Sequence, residues 1–134
     1  MSGLVLKLAP SERLLINGAV IENGPRRGRV NILTPGAHIL RLRDAIHPND
    51  ATTPVRRLCY QAQLVLSGDR RIEDVASDLQ SGIAALSHAF TAPQHHDILS
   101  QARKAVTDGQ AYQALKALRS LLDVETALLA HGAR

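Results

Sequence analysis

The spacing of apolar residues changes once along this chain, and that change limits the folds open to it. Before residue 47 apolar positions come in short alternating runs, and after residue 53 they recur every three or four residues. The first spacing suits a half-buried strand, the second a helix with one buried face. Between them lies HPNDATT (47–53), polar and turn-forming. The expected fold class is therefore α+β: a small five-stranded antiparallel β module over residues 1–48, then a helical domain of about four helices over residues 49–134.

The strands are bounded by strong turn signals. Leu4–Leu8 is the first, ended by Ala9-Pro10-Ser11-Glu12. Arg13–Ile16 and Ala19–Glu22 flank Asn17-Gly18, a pair that favours a two-residue hairpin because both central positions of a type I′ turn need positive φ. Asn23-Gly24-Pro25 ends the third strand, residues 29–33 form the fourth, and Thr34-Pro35-Gly36 leads to a fifth over residues 38–43. On that last strand, alternation predicts Leu40 and Leu42 facing inward and Arg41 and Arg43 outward. Five such strands read as a meander or a barrel-like sheet, marginal alone because so short a chain buries little apolar surface. That argues for a second copy, and a homodimer is expected.

In the second half, Thr53 is placed to cap a helix whose first residue is Pro54, and Gly68 ends it. A second helix spans roughly residues 71–90, a third 95–108, and a fourth 110–130 with apolar residues over a wide arc.

Composition excludes several function classes. The three aromatic residues are Tyr60, Phe90 and Tyr112, so the core must be aliphatic and a base-stacking aromatic platform is not available. No apolar run reaches the roughly 20 residues that span a bilayer. With one cysteine, no intrachain disulfide forms, which fits a reducing compartment; a cytoplasmic chain with no membrane contact is expected.

Charge is unevenly placed. The net charge is +4, but residues 1–60 hold nine basic and four acidic residues, and eight of those nine are arginine. Arginine's planar fork suits phosphates and base edges. Arg26, Arg27 and Arg29 fall at the turn into the fourth strand, Arg41 and Arg43 on the fifth, and Arg56 and Arg57 open the first helix. The last two read as solvent-facing. The others read as one basic surface for an anionic partner.

Other chemistry is weakly supported. Cys59, within a predicted helix, reads as a small buried hydrophobe. His95-His96-Asp97, with His88 one helix away, reads as a polar helix start, since adjacent histidines point apart on a helix. Glu12 beside Arg13, and Asp44 beside Arg43, form no carboxylate pair at a defensible spacing, and no nucleotide-binding or nucleophile motif is present. No enzyme, metal or cofactor is expected.

Three stretches carry a family resemblance: LVLKLAPSERLLINGAVIENG (4–24), TPGAHILRLRDAIHP (34–48) and TPVRRLCYQAQLVLSGD (53–69). Together they resemble the FlbT family of flagellum biosynthesis repressors. The resemblance implies a post-transcriptional regulator that binds the 5′ untranslated leader of flagellin messenger RNA, lowers its translation and promotes its decay. It also implies contact with flagellin and with the flagellar regulator FlaF. A flagellin-binding chaperone or assembly sensor, acting through the helices, is the other reading.

The first 46 residues also weakly resemble CsrA, a five-stranded translational repressor that forms an interlocked dimer. The shared features are the alternating first strand, Glu12, the Thr-Pro turn and the ending Arg43-Asp44-Ala45-Ile46. Carried over by position, the resemblance puts RNA contacts near Leu6 or Lys7 and a key arginine at Arg43. The chain departs from CsrA in its helical domain and in having Ala9 and Pro10 where CsrA has a basic pair. The expected RNA-binding residues are Leu6, Lys7, Arg26, Arg27, Arg29, Arg41 and Arg43.

Overall fold

The structure, a computed structural model, describes residues 3–132. Five strands, β1 (Leu4–Leu8), β2 (Arg13–Ile16), β3 (Ala19–Glu22), β4 (Gly28–Ile32) and β5 (Ile39–Arg41), precede five helices. These are α1 (Pro54–Leu66), α2 (Ile72–Ala89), α3 (Pro93–Thr107), α4 (Ala111–Arg119) and α5 (Leu122–Gly132). The α+β order expected from the periodicity is present.

The strands do not form one meander. β1 pairs only with β4, antiparallel, with Leu6 opposite Val30 and Lys7 opposite Arg29. β2 is the centre of a separate sheet ordered β3-β2-β5. The Asn17-Gly18 turn has positive φ at both residues, 49° and 87°, as the hairpin requires. Asn17 also fixes β5, donating its backbone N–H to the His38 carbonyl at 2.8 Å while its Oδ1 accepts from the His38 N–H at 2.9 Å.

β5 is shorter than expected and alternation misjudges its faces. Ile39 and Leu40 are both buried, because the strand lies between two cores. Ile39 packs with Leu6, Leu8 and Leu14 under the sheets, whereas Leu40 joins the helical core. The chain then leaves the strand in a 3-10 turn, Leu42–Asp44. Leu42 is exposed rather than inward, and Arg43 lies on the turn instead of sharing a strand face with Arg41.

The helices close a ring: α1 packs on α2 and α4, and α3 packs on the same two. α1 begins as its sequence indicates, with Thr53 Oγ1 accepting from the Arg56 N–H at 3.3 Å and Pro54 in the first turn. α1 and α2 approach closely at Gly82, where a Cβ would lie 2.4 Å from a methyl of Leu58. Tyr112 of α4 packs against both cores and so joins the two halves.

The single long fourth helix of the sequence reading is two helices. At the break, the Ser120 and Leu121 N–H groups bond three residues back, to Ala117 and Leu118. No proline or glycine marks this point. What holds it is tertiary: Leu121 is fully buried, and buried Glu125 of α5 reaches the start of α1. There its carboxylate accepts from the Val55 N–H at 2.7 Å and from the Thr53 hydroxyl. Glu125→Ala leaves that buried N–H unpaired, at an expected cost of about 2 kcal/mol. Circular dichroism melting should show the lower midpoint, and an unchanged midpoint would mean that water replaces the carboxylate.

Candidate nucleic-acid interface

Glu12 organises the basic end of the β unit. Its side chain is 4% exposed and meets Arg41 as a two-point pair, from Nε at 2.7 Å and from Nη2 at 2.9 Å. The Ala9 N–H also donates to it at 2.9 Å. The Arg41 hydrogen bonds, reinforced by the Ala9 N–H, hold the Glu12 carboxyl down at about 2, against the opposing effect of burial. Its partner Arg41 is held more firmly protonated, chiefly by the same hydrogen bonds. Arg41 also donates to the Lys7 carbonyl, which ties β5 to β1. Arg41 is thus a 12%-exposed ion-pair partner of Glu12 and not the outward-facing residue that strand alternation predicts.

Asn23 sets the neighbouring loop. Its side-chain NH2 donates to the carbonyls of Ala9, at 2.8 Å, and Arg26, at 2.9 Å. The Ser11 N–H bonds the Gly24 carbonyl and the Asn23 N–H bonds the Glu12 carbonyl. These bonds hold the 23–28 turn against the turn after β1.

Between those two turns lies an open groove of about 620 Å³, lined by Lys7, Leu8, Ala9, Arg27, Gly28, Arg29 and Arg43. Members of two of the sequence-predicted clusters therefore meet, Arg27 and Arg29 from the entry into β4 and Arg43 from the turn after β5, and Lys7 of β1 joins them. Lys7, Arg27 and Arg29 form no ion pair among the described residues. Arg43 is 57% exposed and lies 3.6 Å from Glu12 and 3.8 Å from Asp44.

Lys7 and Arg29 face each other across the β1–β4 ladder. Like charges directly opposite destabilise a strand pair, so this position favours an anion between them. The β2–β3 ladder has the reverse arrangement, with Arg13 opposite Glu22 in a 2.8 Å ion pair.

The remaining predicted residues lie elsewhere. The Leu6 side chain is 3% exposed and packs in the small core rather than lining the groove. Arg26 is exposed on the turn but does not line the groove. Asn23 and Glu12, which hold the groove's walls, were not among the expected site residues. Asn23 before Gly24-Pro25 is an ordinary turn signal, and nothing local tells it from one that positions a site.

The groups considered for other chemistry have structural surroundings. Cys59 is fully buried, and desolvation pushes its thiol up to about 12, far from a reactive thiolate. The His95 ring packs edge-on against Phe90. His96 Nε2 lies 3.1 Å from the Ser87 carbonyl. No cluster of three or more metal-ligating side chains occurs among the described residues. No described helix is long and apolar enough to cross a membrane.

The sequence profile of the family described as "Flagellar protein FlbT" matches residues 4–129, nearly the whole chain. The chain belongs to the FlbT family. A FlbT relative from Caulobacter sp. (strain K31), named a probable flagellum biosynthesis repressor protein, is 31% identical, with 96% of this chain and 97% of the relative aligned. One of the same name from Agrobacterium fabrum is 30% identical over 97% of this chain and 86% of its own. The Caulobacter vibrioides protein named flagellum biosynthesis repressor protein FlbT is also 30% identical, over 96% and 90%. No solved structure matches the chain. The FlbT relatives are named for repression rather than for a reaction.

Proposed function

We propose that this chain is a repressor of flagellar protein synthesis that acts by binding the 5′ untranslated leader of flagellin messenger RNA in the Lys7–Arg27–Arg29–Arg43 groove. The observation that carries the reading is the convergence of four cations from three chain segments on one concave surface, two of them opposed across a strand pair. Such a groove takes a backbone rich in phosphate, and the arginine forks add contacts to base edges. The names of the FlbT relatives supply the biological setting. Occupancy of the leader blocks ribosome entry and leaves an untranslated message open to nucleases. The protein would then work in the cytoplasm, without a cofactor. A second copy belongs to the same reading, since β3 is exposed along its length and Val5, Val20, Ile21 and Leu33 are large apolar residues left in solvent.

The test is fluorescence anisotropy with the flagellin leader of the same genome against a shuffled RNA. Four single-strand phosphate contacts predict that leader affinity falls roughly fiftyfold between 50 and 200 mM salt. Preference for the leader should persist as salt rises. Equal binding of both RNAs at every salt concentration would overturn leader recognition.

One feature favours a second reading, a contact with flagellin or FlaF through the helices. Leu128 and Leu129 on α5 are 44% and 51% exposed. Replacing both by glutamate should abolish co-purification of flagellin if that surface is used. Undiminished co-purification would count against it.

A further inference from the structure

A second concavity of about 200 Å³ lies where the β unit meets α4, and Arg43 lines both it and the basic groove. Its inner wall is buried Leu40 and Leu115, and its other cations are Arg41, already paired with Glu12, and Lys116 and Arg119 of α4. Lys116 is exposed and forms no ion pair among the described residues.

Arg119 is half satisfied. Its Nη2 lies 3.2 Å from Asp44 Oδ1 as an ion pair, whereas its Nε is buried with no acceptor among the described residues. Nε and Nη2 form one edge of the guanidinium fork, the edge that takes two oxygens of a phosphate or carboxylate at once. Asp44 faces the Nη2 half of it. The same carboxylate is 3.8 Å from Arg43, so one internal anion sits between the two arginines.

We propose that this junction is a second phosphate site for the RNA, held by Lys116 and Arg119, with Asp44 as the internal anion that the phosphate competes against. The site carries the strand from the β groove, past Arg43, onto the helical half. It rests on the RNA reading above and extends it to residues outside the arginine-rich part of the chain. Continuity through Arg43 is what favours a polyanion over an isolated small anion.

Asp44 gives the proposal an opposite-signed pair of expectations. With full-length protein and fluorescein-labelled flagellin leader RNA near 0.1 M salt, Lys116→Ala should weaken binding roughly fivefold and reduce the salt slope by about 0.7. Asp44→Asn keeps an acceptor for Arg119 but removes the competing charge, and it should tighten binding by about the same factor. Both variants should melt like the parent, since Lys116 is exposed and asparagine keeps an oxygen facing Arg119.

Unchanged affinity and slope in both variants, with Arg27→Ala still weakening binding, would confine the RNA to the β groove and overturn this proposal alone. Weaker binding by Asp44→Asn would overturn the role given to Asp44. A parent protein that does not bind the leader, with Arg27→Ala equally inert, would remove the RNA reading and this extension with it.

Discussion

Glu12→Ala is expected to destabilise the chain by about 3–5 kcal/mol, the cost of leaving one member of a buried ion pair without its partner. Arg41, at 12% exposure, would keep its charge with no carboxylate to face, and the Ala9 N–H would lose its acceptor. For a chain of this size the thermal midpoint should fall by roughly 10 °C or more. Arg41→Ala should cost less, because a buried glutamate can take up a proton while an arginine cannot give one away. The pH dependence follows from the Glu12 carboxyl, which titrates near 2 in the fold against 4.5 unfolded. A depressed carboxylate stabilises the folded state above its unfolded value, and that contribution, about 3 kcal/mol, is lost as the pH falls from about 4.5 towards 2. Urea unfolding of parent and Glu12→Gln between pH 7 and pH 2.5 checks this: the gap between them should close with acid. A gap that stays constant with pH would mean that the pair holds no such charge coupling.

Removing Lys7, Arg27 and Arg29 together as alanines is expected to weaken leader binding roughly a hundredfold near 0.1 M salt, as three single-strand phosphate contacts imply. The fold should be unharmed. All three side chains are exposed, and Lys7 faces Arg29 across the ladder, so the midpoint should stay level or rise slightly. That separates these residues from Arg41, whose loss lowers stability first. Arg43→Ala, at 57% exposure, should also weaken binding with little change in melting. Leader affinity that survives the triple replacement would show that the groove is not where RNA binds.

Local signals were enough for most element positions. Alternation and turn chemistry located β1, β2 and β3 to the residue, and Thr53-Pro54 with Gly68 bounded α1. The basic surface was legible in part. Lys7, Arg27, Arg29 and Arg43 could be nominated because charge clusters are visible in one dimension. Arg41 could not be told from Arg43. Both carry the same side chain two residues apart and both approach Glu12, but only Arg41 is buried against it and hydrogen-bonded to its carboxylate, which lies 29 residues earlier. Lys116 and Arg119 had no signal at all, since basic residues near the end of a helix ordinarily just complement its dipole.

Periodicity and turn residues alone made this chain a β unit followed by helices, because the repeat of the pattern and the φ preferences of Asn-Gly and Thr-Pro act over a few residues. They could not determine that the strands divide into two sheets, that β5 has both faces covered, or that the last helical stretch bends at Ser120. Each of these depends on partners far along the chain: β1 finding β4, Leu40 meeting the helical core, and Glu125 reaching Val55. Burial and ion pairing are properties of what surrounds a residue, and the surroundings exist only once the chain has folded.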